Sequence, residues 1–248
     1  MKKILALVLA ALMLLACVAC GTTTDDTTAD NTVTDAPETN APETDEVKVM
    51  TYAEYDAAEL DAPVVIEAYV QATQSWWDNK ITVYTQDNDG AYFIYEMACS
   101  EEDSAKLVPG TKIRVTGHKG AWAGEVEIMD ATFEFVDGDA FIAEAFDATE
   151  LLGTEDLIKH QNKFVTFKGL TLKAVEYKNG EPGDDIYVTV TKGDADYSFC
   201  VERYLTGPET DVYKAFADLK AGDVIDVDGF LYWYEGVNTH ITAVKVAE

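Results

Sequence analysis

The chain has 248 residues, and 46 acidic side chains against 18 basic ones set its formal net charge at −28. Arg114 and Arg203 are its only arginines. Nucleic-acid binding draws on Lys/Arg contacts that release counterions from phosphates, so this balance makes nucleic acid an unlikely partner, and solubility accounts for the acidity.

Lys2 and Lys3 precede an apolar run over residues 4–15. A membrane span needs ~20 apolar residues, so the run reads as the core of a cleaved signal rather than a spanning helix. Small residues then lead to Cys17 and Cys20. Leu14-Leu15-Ala16-Cys17 and Val18-Ala19-Cys20-Gly21 resemble the lipobox of bacterial lipoproteins, with Cys17 the better match upstream and Cys20 downstream. The resemblance implies lipidation at Cys17, slightly preferred, or at Cys20, and anchoring at the outer face of the cytoplasmic membrane. A plain signal peptide is the alternative.

Residues 1–20 are thus expected as a signal peptide and 21–47 as a tether. The tether is rich in Thr, Asp, Glu and Pro, and repeats Ala36-Pro37-Glu38-Thr39 as Ala41-Pro42-Glu43-Thr44. Such a composition cannot bury enough apolar surface to offset backbone ordering, which predicts disorder and reach.

After the tether one unit occurs twice. Leu107, Gly110, Ile113, Val115 and Gly117 recur with identical spacing as Leu219, Gly222, Ile225, Val227 and Gly229. Each set is followed at the same distance by another glycine, Gly124 or Gly236. This predicts a tandem duplication, with domains at 48–142 and 143–248. In the first copy, alternation predicts strands over 64–73, 81–85, 91–97, 112–117 and 125–135, with a short helix over 101–107. The second copy predicts strands over 164–175, 186–191, 197–203, 223–233 and 237–246, with a helix over 210–219. Short helical stretches precede each copy: Thr51 to Glu54 has capping-box spacing, and 150–160 is its counterpart.

The fold class is therefore mainly β. Two tandem five-stranded OB-fold-like barrels are expected, each with a short helix between strands 3 and 4. Over about residues 48–248 the chain resembles the tandem OB-fold lipoproteins of Gram-positive bacteria. Another pair of small barrels or sandwiches is the alternative.

An OB-fold places ligands on strands 2 and 3, between the strand 1–2 and strand 4–5 loops. In the first copy those loops carry Trp76, Trp77 and Trp122; in the second, Tyr177 lies by the first loop and Trp233 and Tyr234 by the other. Exposed aromatic rings suit contact with a ligand. The six are candidate binding residues of a non-catalytic, membrane-anchored module for an envelope glycan, peptide or partner protein. Adjacent Trp76 and Trp77 cannot both face outward on a strand, so one of them is expected in the core. A structural or assembly subunit and an OB-fold nucleic-acid-binding protein are the alternatives, the last disfavoured by charge.

Other signals are weaker. Asp87-Asn88-Asp89-Gly90 reads as a hairpin turn, since an EF-hand's spacing and final Glu are missing. Asp184 and Asp185 read likewise. His118, His160 and His240 show no metal-ligand spacing, and Cys99 and Cys200 read as buried thiols. The chain carries no G-x-S-x-G, H-E-x-x-H or P-loop, so no enzyme is expected, and neither a cofactor nor a metal.

Overall fold

The computed structural model describes residues 48–247. The expected signal peptide, Cys17, Cys20 and the tether over 21–47 lie outside the described residues. Among the described residues no helix is long and apolar enough to cross a membrane.

The first barrel contains β1 (Pro63–Thr73), β2 (Lys80–Gln86), β3 (Ala91–Ala98), β4 (Lys112–Trp122) and β5 (Glu125–Phe135). It closes in the order β1-β2-β3-β5-β4. Its lone parallel pairing, Phe93 opposite Glu127, joins β3 to β5. Alternation builds the core: along β1, Val64, Ile66, Ala68 and Val70 are all buried. Two short helices flank the strands, α1 (Tyr52–Ala57) and α2 (Glu101–Ser104). The capping box expected for α1 is present, with the Thr51 N–H donating to Glu54 at 2.9 Å and the Glu54 N–H to Thr51 Oγ1 at 3.3 Å.

The second barrel repeats this plan with β7 (Phe164–Tyr177), β8 (Ile186–Lys192), β9 (Ala195–Val201), β10 (Val224–Phe230) and β11 (His240–Val246). A two-residue strand, β6 (Phe146–Asp147), pairs outside β7, and α3 (Asp211–Ala215) follows β9. Pairing of β10 with β7 closes this sheet, and β9 meets β11 in parallel at Cys200 and His240. Both units thus have the OB-fold strand order.

The repeated glycines have matching duties. Gly110 and Gly222 have φ of +92° and +97°, and each donates its N–H to the first strand of its barrel, at Val70 O and Leu172 O, both 2.8 Å. Left-handed backbone there starts the fourth strand in register with the first. Gly117 and Gly229 sit at register shifts between strands four and five. A Cβ on Gly117 would lie 2.7 Å from Met129 O, and one on Gly229 would overlap the His240 carbonyl.

Several expected boundaries shift. Residues 150–160 form two 3₁₀ turns, Thr149–Leu151 and Leu157–His160, because Gly153 between them adopts φ +90°. The helix expected over 210–219 is confined to Asp211–Ala215. The strands expected over 223–233 and 237–246 are shorter at their joined ends, because the β10–β11 connection leaves its own sheet. Its Trp233 and Glu235 N–H groups donate to Glu125 and Ala123 of the first barrel, at 2.8 and 2.6 Å. In the first barrel β4 instead runs on to Trp122, past the expected end at Gly117.

Candidate functional site

The outer face of β2 and β3 is where an OB-fold presents its ligand surface. Here the second barrel covers much of it. Tyr84 and Phe93 are buried against Phe230, with Phe164, Leu205 and Tyr232 around them. Tyr84 stacks on Phe230 with centroids 4.5 Å apart, and Tyr232 stacks on His240 at 4.2 Å. Burial lowers His240 to about 3, so its ring is neutral. The Tyr84 hydroxyl accepts from Gln74 and shares a hydrogen bond with His240 Nδ1 across the joint at 2.6 Å.

Glu125 completes the joint. Its side chain has no solvent exposure, and Oε2 accepts from the Trp233 N–H and from Gln161 Nε2 at 3.0 Å. Oε1 has no protein partner. Burial pushes this carboxyl up to about 8, with Glu127 adding to the rise.

One part of the face stays open. A groove of about 740 Å³ runs between the barrels. Its floor and one wall come from the β1–β2 loop and from Lys80, Thr82, Tyr95 and Glu96. The other wall is Arg203, Tyr204 and Pro208 of the second barrel. Trp77, Tyr95 and Tyr204 are all exposed, Trp77 at 78%. The Arg203 guanidinium lies over the Tyr204 ring, 5.0 Å from its centroid.

Backbone bonds fix the second wall. The Ser75 N–H donates to Tyr204 O at 2.8 Å, and the Arg203 N–H to Asp185 Oδ1 at 3.0 Å. Glu202 Oε2 accepts from the N–H groups of Tyr204 and Leu205, at 3.0 and 2.8 Å. Burial raises the Glu202 carboxyl to about 7 despite these bonds. On the first wall, Lys80 Nζ donates to Glu96 Oε2 at 2.7 Å, which holds the Glu96 carboxyl below its usual range.

The six aromatic candidates do not share one cleft. Trp76 packs on the first core and donates Nε1–H to Cys99 O at 2.9 Å, with its edge reaching the groove floor. It is the inward member of its pair; Trp77 is the outward one. Trp122 is 63% exposed at the end of β4, but it is not among the groove residues. Its hairpin turns against the second barrel, where Gly124 abuts the Trp233 ring. Tyr177 and Trp233 are partly buried on the second core, Tyr177 facing Tyr213 at 6.2 Å. Tyr234 is exposed.

Sequence reasoning missed Tyr95, Tyr204, Arg203 and Lys80. Tyr95 had a signal, since it shares outward parity with Phe93 on β3. Arg203 and Tyr204 had none, because they belong to the site only through the docking of one barrel on the other.

The weaker candidates are accounted for locally. Asp87 Oδ1 accepts from the Asp89 and Gly90 N–H groups at 2.7 Å each, as a hairpin turn requires. Lys178 holds Asp185 at 2.8 Å. Cys99 and Cys200 are buried free thiols. Among the described residues no group of three His, Cys, Asp or Glu side chains could hold a metal.

No family model matches the chain, and no curated protein matches it. Solved structures do resemble it. A murine DNA-binding protein bound to double-stranded DNA is 10% identical, with TM-score 0.37, the match covering 75% of this chain and 96% of that one. The p202 HIN1 domain in complex with a 12-mer duplex is 10% identical at TM-score 0.35, covering 76% and 94%. A replication protein A heterotrimer bound to single-stranded DNA is 10% identical at TM-score 0.32, covering 76% of this chain and 51% of that one. None of these descriptions names a catalytic activity, and a likeness at this level assigns no ligand to this chain.

Two expectations are corrected. The glycan, peptide or partner-protein reading needed the two aromatic loops of the first barrel to frame one cleft. The β4–β5 hairpin instead closes on the second barrel, and that reading is set aside. Nucleic acid was held unlikely from whole-chain charge, whereas the open groove sets Lys80 and Arg203 beside three exposed rings.

Proposed function

We propose that the chain is a non-catalytic OB-fold binding protein that takes single-stranded nucleic acid in the groove between its barrels. The observation that carries this reading is the lining itself: Trp77, Tyr95 and Tyr204 exposed, with Arg203 and Lys80 among them. Single strands bind OB-folds by stacking bases on aromatic rings while a few cations follow the backbone. Stacking is neutral, so it works on an acidic protein where phosphate contacts alone would fail. A duplex presents no free base faces and is not the ligand favoured here.

The test is fluorescence titration of the purified 48–248 region with a labelled short oligothymidine. Each stacked base contributes ~1–3 kcal/mol, so Trp77→Ala should weaken binding about fivefold or more. Its melting temperature should not change, because the ring is exposed. With two cations in the groove, the log–log salt slope should be no steeper than about −1.4. Binding unaffected by Trp77→Ala, or a far steeper slope, would overturn the reading.

The sequence supports a further part of this proposal: export and lipid anchoring through Cys17 or Cys20, as in the tandem OB-fold lipoproteins of Gram-positive bacteria. The groove would then stand on a tether outside the cytoplasmic membrane.

A further inference from the structure

The backbone of β3 is irregular at the groove. Its register against β2 shifts between Ile81 and Val83, whose partners are Met97 and Ile94, so Tyr95 and Glu96 together fill the gap in the ladder. Such a bulge breaks the alternation of side chains, and both Tyr95 and Glu96 emerge on the groove side. Glu96 has φ +44°, a conformation that a residue with a Cβ holds only when its surroundings enforce it. The enforcing contacts are present: the Glu96 N–H donates to Thr82 Oγ1 at 3.1 Å, and its carboxylate takes Lys80 and the Tyr95 hydroxyl, the latter at 3.2 Å. The result is an acceptor set into the wall of an aromatic groove.

From this we infer that Glu96 makes the groove selective for bases that donate from their pairing edge, guanine foremost; the inference rests on the nucleic-acid reading above. An ionised carboxylate only accepts, and has about four lone-pair positions. Lys80 occupies one on Oε2 and Tyr95 one on Oε1, which leaves an acceptor on each oxygen. Guanine offers two parallel donors, N1–H and the N2 amino group, that match two carboxylate oxygens. Cytosine and adenine offer one amino group. Thymine and uracil place carbonyl oxygens on both sides of their single N–H, and these face the carboxylate repulsively. Glu96 lines the same groove as Trp77 and Tyr204, within which a base stacked on either ring can present its pairing edge to the carboxylate.

The experiment uses the oligothymidine strand with one internal base exchanged for dG, inosine or dC. A good bidentate pair discriminates between bases by about tenfold or more. The dG strand should therefore bind the native protein about tenfold tighter than all-dT, with inosine, which lacks the N2 amino group, in between. In Glu96→Gln the dG-to-dT ratio should fall to near one, and because it is a ratio taken within one variant, any change in Lys80 or Tyr95 that affects both strands cancels. A melting curve confirms that the variant is folded. A native ratio of one, or an unchanged ratio in Glu96→Gln, with binding still dependent on Trp77, overturns the selectivity and leaves the nucleic-acid reading standing. If none of the strands binds, both fail.

Discussion

Glu125 shows how one side chain ties stability to pH. Burial raises its carboxyl from the ordinary 4.5 to about 8. Between those values the folded protein keeps a proton that the unfolded chain has lost, so stability falls as pH rises through the window and the loss is complete above about 8. Gln cannot ionise, and its carbonyl oxygen can still accept from the Trp233 N–H. Glu125→Gln should match the native protein near pH 5 and be the more stable at about pH 9, as read by urea denaturation. Parallel profiles for the two proteins would show that Glu125 is not the group responsible. The tryptophan pair carries a different lesson at this scale. Alternation required one of Trp76 and Trp77 to turn inward, but not which. Trp76 was selected by an acceptor for its indole N–H, the Cys99 carbonyl at 2.9 Å, which only the folded β3 puts in place.

Among the elements, the repeated glycines divide into two kinds. Gly222 needs a left-handed backbone, and nothing lies near its missing Cβ. Gly229 is at a bulge where the His240 carbonyl fills that place. Gly222→Ala should therefore cost about 1–2 kcal/mol from backbone strain. Gly229→Ala should cost about 3 kcal/mol, because backbone must move to relieve the overlap. Equal losses in thermal or urea melts would mean that the bulge relaxes freely. The spacing of these glycines was legible in the sequence because Gly110, Gly117, Gly222 and Gly229 each serve their own barrel. The ends of β10 and β11 were not, since the connection between them bonds to Glu125 and Ala123 rather than to its own ladder. The bulge that brings out Glu96 left one trace in the sequence, a charged residue at the parity of the core-facing Tyr92 and Ile94, but its conformation depends on Thr82 and Lys80 of the neighbouring strand.

For the whole molecule, the anchor and the groove pose separate questions. Fatty-acid labelling in a Gram-positive host should mark the native chain, and Cys17→Ala should abolish the mark if that cysteine is the lipidated one. Loss in Cys20→Ala alone would move the site, and label surviving the double replacement would exclude lipidation at either cysteine. By itself the sequence determined the tandem duplication, the OB-fold strand order and the two core faces, because period-two alternation and turn glycines are local signals. Tertiary structure alone decided where a ligand could enter. Docking of the second barrel buries Tyr84 and Phe93 and turns the Trp122 hairpin away. It also brings Arg203 and Tyr204 to Trp77, Tyr95 and Lys80. Residues so far apart along the chain meet through the packing of two separate cores, and no pattern within either copy encodes that meeting.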